Sequence, residues 1–332
     1  MGSEMCIRDR TYASKLGGKS RGKVRGKVRG KCNLKILVNQ ERLERYSKNK
    51  PVLNGVEQDF NYILPDDNFD ADLIIIATKA SGLDSAVKMI KNFVSSKTII
   101  LSLLNGISSE EVIRSAYPEA KVLKSYFIGH SAVRVGNSVK QDGVGEIVME
   151  RDDGLIKFFN DAGVGYAVPD DIDYSMWLKF TMNIFSNQTS AVLNMTFGEM
   201  KYNKAFIDFA KKIITEVRSV AELKGINGLE NLEKDALDAL SRMCDEGKTS
   251  MHQDILADLE ALDITPAKCF FFRKYAFIAD HFVLVFTRLL IYIICQKHIK
   301  CHTSPCNLPK LCKNRLISVP VYPVITVHYL KI

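Results

Sequence analysis

The middle of this 332-residue chain is almost without cysteine. Between residues 36 and 260 Cys244 stands alone, and the other seven cysteines lie in the first 35 residues or after residue 260. This distribution excludes a disulfide-stapled fold for the middle and favours a protein of a reducing compartment. No apolar segment follows the early charges as it would in a secretory signal, so we expect a cytoplasmic location.

Net positive charge is likewise absent from the middle. The formal charge of +8 combines +9 in residues 1–35 and +8 in residues 261–332 with −9 in residues 36–260. Whole-chain basicity is therefore a poor argument for a nucleic-acid partner, and we expect none. Residues 1–33 repeat Gly-Lys-Val-Arg without an apolar period, which is typical of disordered or non-native sequence. Their GxxxxGK spacing lacks a metal-binding Ser or Thr and a preceding strand, which excludes a P-loop.

The tail, residues 261–332, is rich in Phe, Ile, Tyr, Cys and Lys, as a shifted reading frame of AT-rich DNA would be, and stays unassigned. Residues 275–295 reach transmembrane length. Asp280, His281 and Arg288 lie inside this run and are unfavourable in a bilayer, so it is a weak candidate and we expect no membrane partner. The histidines and cysteines of the tail fit no paired CxxC spacing, and we expect no metal site.

Predicted strands and helices alternate between residues 34 and 168. The β-branched runs at 72–78 and 98–104 are typical of strands buried on both faces of a parallel sheet. The pattern predicts an α/β fold, an incomplete doubly wound Rossmann-like sheet. Further strands are predicted at 34–38 and 122–128, and helices at 82–94 and 108–117, the last opening with Ser-Ser-Glu-Glu, a favourable start for capping.

Two polar residues follow the two buried runs directly. Lys79 comes after the first run and Asn105 after the second, at the edge of the sheet where ligands bind in such folds. Each residue also has a plainer interpretation, Lys79 as a charge leading into a helix and Asn105 as part of an Asn-Gly turn.

Residues 169–260 have helical periodicity almost throughout and predict a separate all-helical domain. In its first helix Lys179, Asn183 and Asn187 recur at every fourth position, so they share one face among large apolar side chains. A lysine held in such surroundings can pass a proton to a substrate. The alternative is a solvated face or a hydrogen-bonded seam between helices.

The motifs of residues 34–259 resemble the ketopantoate reductase family (2-dehydropantoate 2-reductase). The resemblance implies an oxidoreductase of pantothenate biosynthesis that reduces ketopantoate, a 2-keto acid, with NADPH, and it allows a homodimer. It implies Lys179 as the general acid, Asn183, Asn187 and Ser250 as substrate-binding residues, and Lys79, Asn105 and the backbone of Ala132 as cofactor-binding residues. The motifs that carry it are ADLIIIATKA at 71–80, LLNGISSEE at 103–111, GHSAVRVG at 129–136, WLKFTMNIFSNQTSA at 177–191 and GKTSMHQDI at 247–255.

The chain departs from the family at both ends. The family opens with a strand and a GxGxxG turn that holds the pyrophosphate, and nothing before residue 34 supplies this fingerprint. A ligand-contacting glutamate of the family falls at Leu262, and Glu260 lies two residues too early. Arg42 could face a 2′-phosphate, although a solvated helix arginine fits its surroundings better. We therefore expect impaired activity, with a non-catalytic remnant or binding protein, using the basic and apolar ends, as the alternative.

Overall fold

A computed structural model describes residues 33–129, 131–143, 145–261 and 327–330. The chain divides into two compact units between Phe180 and Thr181, and Val327–Leu330 belong to the first unit. Two segments interpreted from sequence lie outside the described residues: 1–33, apart from residue 33, and 275–295. The cysteines of the tail lie outside them as well. The predicted domain limits, 34–168 and 169–260, stay predictions.

The first unit is built on a six-stranded sheet with the order β4-β1-β13-β5-β6-β7. Strand β1 is parallel to β4, and β5, β6 and β7 are mutually parallel, which confirms the predicted doubly wound, Rossmann-like sheet. The six strands are β1 (Lys35–Leu37), β4 (Tyr62–Ile63), β5 (Leu73–Ile76), β6 (Ile99–Ser102), β7 (Lys121–Leu123) and β13 (Val327–Leu330).

Strand β13 occupies the position between β1 and β5 in this sheet. It pairs antiparallel with β1 through Val327 to Tyr329 and antiparallel with β5 through Val327 to Leu330. The position between β1 and β5 is the topological switch point of the sheet. On one side of it the chain runs outward from β1 to β4, and on the other side from β5 to β6 and β7. The tail thus supplies a central strand, although the sequence predicted no element there.

The alternation of side chains along β5 explains its continuous apolar sequence. Leu73 and Ile75 pack into one hydrophobic core, with Tyr46 and Phe159. Ile74 and Ile76 pack into a second core on the opposite face of the sheet. Because successive side chains of a strand point to opposite faces, a sheet covered on both sides requires apolar residues at every position.

Other described strands of the first unit form two smaller sheets. One has the order β3-β2-β10-β9 and the other β12-β11-β8. The strand predicted at 122–128 is in fact two strands, because β7 pairs with β6 while β8 turns away to pair with β11. The added strands are β2 (Val52–Leu53), β3 (Val56–Glu57), β8 (Ser125–Ile128), β9 (Ser131–Val135), β10 (Ser138–Asp142), β11 (Glu146–Met149) and β12 (Tyr166–Ala167).

Among the described residues, five helices belong wholly or mainly to the first unit. The acidic first turn expected for the helix after β6 is present as Glu110 and Glu111, but Ser108 makes no side-chain capping bond. The expected capping is therefore wrong in this detail. The helices are α1 (Gln40–Lys48), α2 (Leu83–Met89), α3 (Ser109–Ala116), α4 (Asp153–Ala162) and α5 (Ile172–Met182), with 3₁₀ turns at Ala80–Gly82 and Lys91–Phe93.

The described residues of the second unit are helical, as the sequence predicted. A π-helical segment, Asn183–Asn187, continues α5 and leads into α6. Thr196 and Glu199 form a capping box that starts α7, and Asn203 caps α8. The helices are α6 (Gln188–Leu193), α7 (Phe197–Tyr202), α8 (Lys204–Leu223), α9 (Leu232–Ser241) and α10 (Ser250–Ala261), with a 3₁₀ turn at Leu229–Asn231. In the part of the chain that the structure describes, no helix is long and apolar enough to cross a membrane.

Candidate active site

Lys179 lies on α5, where its ammonium group is held against strand β8. The side chain is half-buried, and its Nζ donates a hydrogen bond of 2.8 Å to the carbonyl oxygen of Phe127. The same Nζ lies 4.8 Å from the centroid of the Tyr126 ring. A carbonyl oxygen and an aromatic face both attract a cation, so the ammonium is oriented rather than extended freely into water.

Tyr126 is a residue that the sequence did not single out. Its ring is buried, and its hydroxyl lies 2.5 Å from the hydroxyl of Ser175, one helical turn before Lys179. Burial raises the pKa of Tyr126, and the hydrogen bond with Ser175 opposes this in part. Tyr126 therefore stays a neutral phenol at ordinary pH and presents its ring to Lys179.

Asn183 and Asn187 contact each other, as their spacing suggested. The Nδ2 of Asn187 donates to the Oδ1 of Asn183 over 3.2 Å. Both residues lie in the π-helical segment rather than in a regular α-helix, and the Ser186 hydroxyl donates to the carbonyl of Met182 over 2.6 Å. Such π segments within helices frequently occur at functional sites because they alter the direction of side chains.

Ser250 is the exposed first residue of α10, and its neighbours fix the start of that helix. Thr249 is buried, and its Oγ1 accepts a hydrogen bond from the backbone N–H of His252 over 3.2 Å. The same Oγ1 lies 2.6 Å from the hydroxyl of Ser190 on α6. Ser250 thus sits at a well-anchored helix N-terminus, where backbone N–H groups favour an anion.

His252 is a second residue that sequence reasoning missed. It is buried, with Nε2 2.7 Å from Oδ1 of Asn194 and Nδ1 3.2 Å from the carbonyl oxygen of Met195. Burial lowers the pKa of His252, with the nearby Lys248 acting in the same direction. The ring is therefore neutral over most of the physiological range and ties the start of α10 to the end of α6.

The three predicted cofactor residues are positioned by two different sheets. Lys79 and Asn105 are exposed and follow β5 and β6, two adjacent parallel strands, so both occur at the carboxyl edge of the central sheet. Gly106, next to Asn105, has a φ of +112° and open space where a Cβ would stand. Ala132 lies in β9 of the four-stranded sheet and pairs with Gln141.

Arg42 corrects one interpretation of the sequence. It is only 5% exposed and is therefore not a solvated helix residue. Arg42 and the buried Tyr46 are one turn apart on α1, so they share the face of the helix that packs inward. The side chains of Glu260 and Leu262 lie outside what the structure describes.

A Rossmann-like sheet followed by a helical region defines a class of two-domain α/β proteins. In this chain the oriented lysine, Lys179, lies on α5. The chain belongs to the ketopantoate reductase PanE/ApbA family: the family's N-terminal model matches residues 11–154, and its C-terminal model matches residues 171–261. The first match begins before residue 34, where the resemblance was expected to start.

Curated relatives agree with this assignment. The 2-dehydropantoate 2-reductase of Streptococcus pyogenes serotype M1 is 26% identical over 204 residues, which are 59% of this chain and 66% of the relative. That of Vibrio cholerae serotype O1 is 24% identical over 193 residues, 56% of this chain and 64% of the relative. The chain therefore spans about two thirds of the length of these relatives.

Solved structures share the fold at low sequence identity. A D-mandelate dehydrogenase with NADH and anilino(oxo)acetate has a TM-score of 0.56 and 20% identity, covering 71% of this chain and 86% of that chain. A dimeric ketopantoate reductase from Staphylococcus aureus has a TM-score of 0.53 and 19% identity, covering 66% and 81%.

Proposed function

We propose that this chain derives from, and retains the catalytic residues of, an NADPH-dependent 2-dehydropantoate 2-reductase, which reduces ketopantoate to pantoate in pantothenate biosynthesis. The observation that carries the proposal is the oriented, half-buried ammonium of Lys179, held by the Phe127 carbonyl beside the Tyr126 ring. The family and the curated relatives named as 2-dehydropantoate 2-reductases support this choice of substrate.

Lys179 is the group that handles the proton. Reduction of a 2-keto group builds negative charge on the carbonyl oxygen, and an ammonium close to that oxygen stabilises the charge and supplies the proton. The contacts with Phe127 and Tyr126 restrict the ammonium to few orientations. Such restriction lowers the entropy that must be lost when the substrate is engaged.

Asn183, Asn187 and Ser250 bind the substrate. The two asparagines offer carboxamide donors and acceptors suited to hydroxyl and carbonyl oxygens, and their mutual hydrogen bond sets their orientation. Ser250, exposed at the N-terminus of α10, holds the carboxylate with the help of backbone N–H groups.

The cofactor residues fit one part of NADPH, whose nicotinamide supplies the hydride. Lys79 and Asn105 are a cation and a carboxamide at the carboxyl edge of the sheet, a suitable set for ribose and phosphate oxygens. The backbone of Ala132 is the third contact of the proposal. The described residues do not fit the pyrophosphate, because none of them forms a glycine-rich turn that leads from a strand into a helix at the position of β13.

The direction of β13 is the reason for this poor fit. Val327, the first residue of the strand, pairs with Ile76 at the carboxyl edge of the sheet. The chain therefore enters the sheet at this edge, whereas a parallel strand would end there and lead into a helix. Several charge-assisted hydrogen bonds of roughly 1.5–3 kcal/mol each are then missing. We expect NADPH affinity at least about a hundredfold below that of a complete enzyme.

Cytoplasmic location and a homodimer belong to the same proposal. A structural relative is named as a dimeric ketopantoate reductase, which supports the dimer. The name of the D-mandelate dehydrogenase indicates that relatives of this fold differ in substrate, so related 2-keto acids are included in the assay. The alternative of a non-catalytic binding protein rests on the two chain ends, which lie almost wholly outside the described residues, apart from residue 33 and Val327–Leu330.

The test compares the chain with a chimera in which the Streptococcus pyogenes relative supplies the sequence before residue 34 and after residue 259. NADPH oxidation is followed with ketopantoate and with other 2-keto acids. The chimera is expected to turn over ketopantoate, and the original chain little or none. A normal rate in the original chain contradicts the proposed impairment. A chimera that folds and binds NADPH but reduces no 2-keto acid contradicts the proposed function.

A further inference from the structure

The loop that carries Asn105 is closed at its base by a chain of buried hydroxyl groups. Ser102 ends β6, Ser109 begins α3, and the Oγ of Ser102 donates to the Oγ of Ser109 over 2.7 Å. The Ser109 hydroxyl donates in turn to Oε2 of Glu110 over 3.1 Å. All three residues are buried. These hydrogen bonds bracket residues 103–108, the segment that contains Asn105 and Gly106.

Ser102, at the strand end of the loop, is also held by hydrogen bonds to Ser125. The backbone N–H of Ser102 donates to Oγ of Ser125 over 3.1 Å, and the Ser125 hydroxyl donates to the carbonyl oxygen of Ser102 over 3.0 Å. Ser125 is the first residue of β8 and is itself buried. The hydroxyl of Ser102 therefore has a defined position from which to reach Ser109.

The helix side departs from the usual arrangement of a helix start. Ser108 occupies the N-cap position without a side-chain capping bond, and the Ser109 hydroxyl is directed to Ser102 and Glu110. The Oε1 of Glu110 has no hydrogen-bond partner among the described residues, and the nearby Arg114 donates Nη2 to the carbonyl of Val122 over 2.8 Å. A buried carboxyl group is costly unless it is hydrogen-bonded, so the bond from Ser109 to Oε2 offsets part of the cost of burying Glu110.

The loop itself needs such support. Leu103 and Leu104 at its start are buried in the two cores, whereas Asn105 and Gly106 are exposed. Gly106 has a φ of +112°, and no atom stands within 4 Å of where its Cβ would be. Glycine in an open position leaves a backbone with many accessible conformations. Restraints at the two ends of the loop reduce the number of conformations of Asn105, and so the entropy lost when a ligand binds to it.

We propose that Ser102, Ser109 and Glu110 are positioning residues, forming a hydroxyl clamp that fixes the 103–108 loop so that Asn105 is pre-organised for a dinucleotide. The part that concerns the cofactor rests on the proposed function. None of the three residues touches the substrate in this proposal, and they act through the conformation of the loop.

The test substitutes Ser109→Ala in the full chain and uses Ser115→Ala as the matched control. Ser115 lies on the same helix, is exposed, and donates to the carbonyl of Glu111 over 2.8 Å. Hydrogen exchange of the 105–108 amides is expected to become roughly three- to tenfold faster in Ser109→Ala, as for the loss of one hydrogen bond. Exchange at Ile100 and Leu101 in β6 stays unchanged if the variant is folded.

Glu110→Gln and Glu110→Ala provide the second comparison. Gln keeps an oxygen that accepts from Ser109 and is expected to retain loop protection, whereas Ala removes the acceptor and is expected to lose it. NADPH binding is measured on the same proteins by ligand-observed NMR, which detects weak binding. We expect affinity to fall with loop protection and to be kept in Glu110→Gln.

The outcomes separate the clamp from the cofactor. Equal loop exchange in Ser109→Ala and Ser115→Ala overturns the clamp, whatever NADPH does. Faster loop exchange with unchanged NADPH affinity overturns the positioning role and leaves the proposed function intact. Faster exchange with lower affinity supports the proposal. If the original chain shows no NADPH binding at all, the positioning role is overturned for this chain, and loop exchange alone decides the clamp.

Discussion

Lys179 and Tyr126 form a cation–π pair, with the ammonium 4.8 Å from the ring centroid. Tyr126 belongs to β8 and Lys179 to α5, and the 2.5 Å contact between the hydroxyls of Tyr126 and Ser175 ties the same two elements together. The ring is therefore fixed at its hydroxyl end while its face meets the ammonium. This arrangement explains how a flexible lysine side chain acquires a defined position.

Tyr126→Phe tests the hydroxyl end of this arrangement. Removing the hydroxyl leaves the Ser175 hydroxyl without this partner, and the free energy of unfolding should fall by about 0.5–1.5 kcal/mol. Urea unfolding measures the change. Tyr202→Phe is the control, because Tyr202 is exposed and its hydroxyl makes only a 3.4 Å contact with Asp245. A loss as large in Tyr202→Phe would show that the effect does not come from the buried hydrogen bond.

Strand β13 predicts that the tail stabilises the central sheet. His328→Pro removes a backbone N–H from a strand that is paired on both sides, and an unpaired buried partner costs about 1–3 kcal/mol. Amide exchange at Leu37 and Ile75, which face β13, should become faster in this variant, and His328→Ala, which keeps the N–H, should leave exchange unchanged. Identical protection in the two variants would mean that β13 does not occupy this position.

Disulfide formation tests the direction of β13. Val327 pairs with Ile76, and Leu330 pairs with Leu73. Cysteines at Val327 and Ile76 should therefore form a disulfide under mild oxidation, because paired residues of adjacent strands lie within bonding range. Cysteines at Val327 and Leu73 should not. Peptide mapping by mass spectrometry distinguishes the new bond from bonds to native cysteines, and the opposite result would indicate a parallel strand.

Glu110 makes stability depend on pH in a defined direction. Burial raises the pKa of Glu110 above its ordinary value of 4.5, with hydrogen bonds from the backbone and Ser109 opposing. The folded state therefore binds more protons than the unfolded state above pH 4.5, and this contribution to stability is lost as the pH rises through the folded-state pKa. Glu110→Gln should flatten this part of the profile of unfolding free energy against pH. An unchanged slope in Glu110→Gln would assign it to another group.

The regular parts of the fold follow from sequence because their causes are local. The alternation of Leu73 to Ile76 between two cores requires the uninterrupted apolar run that predicted β5. The pairing of Asn183 with Asn187 likewise follows from a helical spacing of four.

The remaining features depend on contacts between residues far apart in the chain. Tyr126 and Ser175 are 49 positions apart, and Ser190 and Thr249 are 59 apart, so no periodicity connects them. The π-helical segment and the insertion of β13 are further examples, since they reflect tertiary packing that overrides local preference. Arg42 was misjudged for the same reason, because its burial depends on what α1 packs against.

Kinetics of the chimera test the catalytic assignment of Lys179 and separate it from substrate binding. Lys179→Ala should lower kcat roughly 10²–10⁴-fold, the usual effect of losing a positioned acid, without preventing folding, because the side chain is only half-buried. Ser250→Ala should act mainly on KM, because a carboxylate contact away from the reacting carbon stabilises the ground state and the transition state alike. Asn183→Ala should affect both constants if it touches the reacting end of the substrate. Lys204→Ala is the control, since Lys204 is an exposed helix lysine paired with Asp208. An unchanged kcat in Lys179→Ala, with the control also unchanged, would remove Lys179 from the chemistry and leave its contacts with Phe127 and Tyr126 a structural role alone.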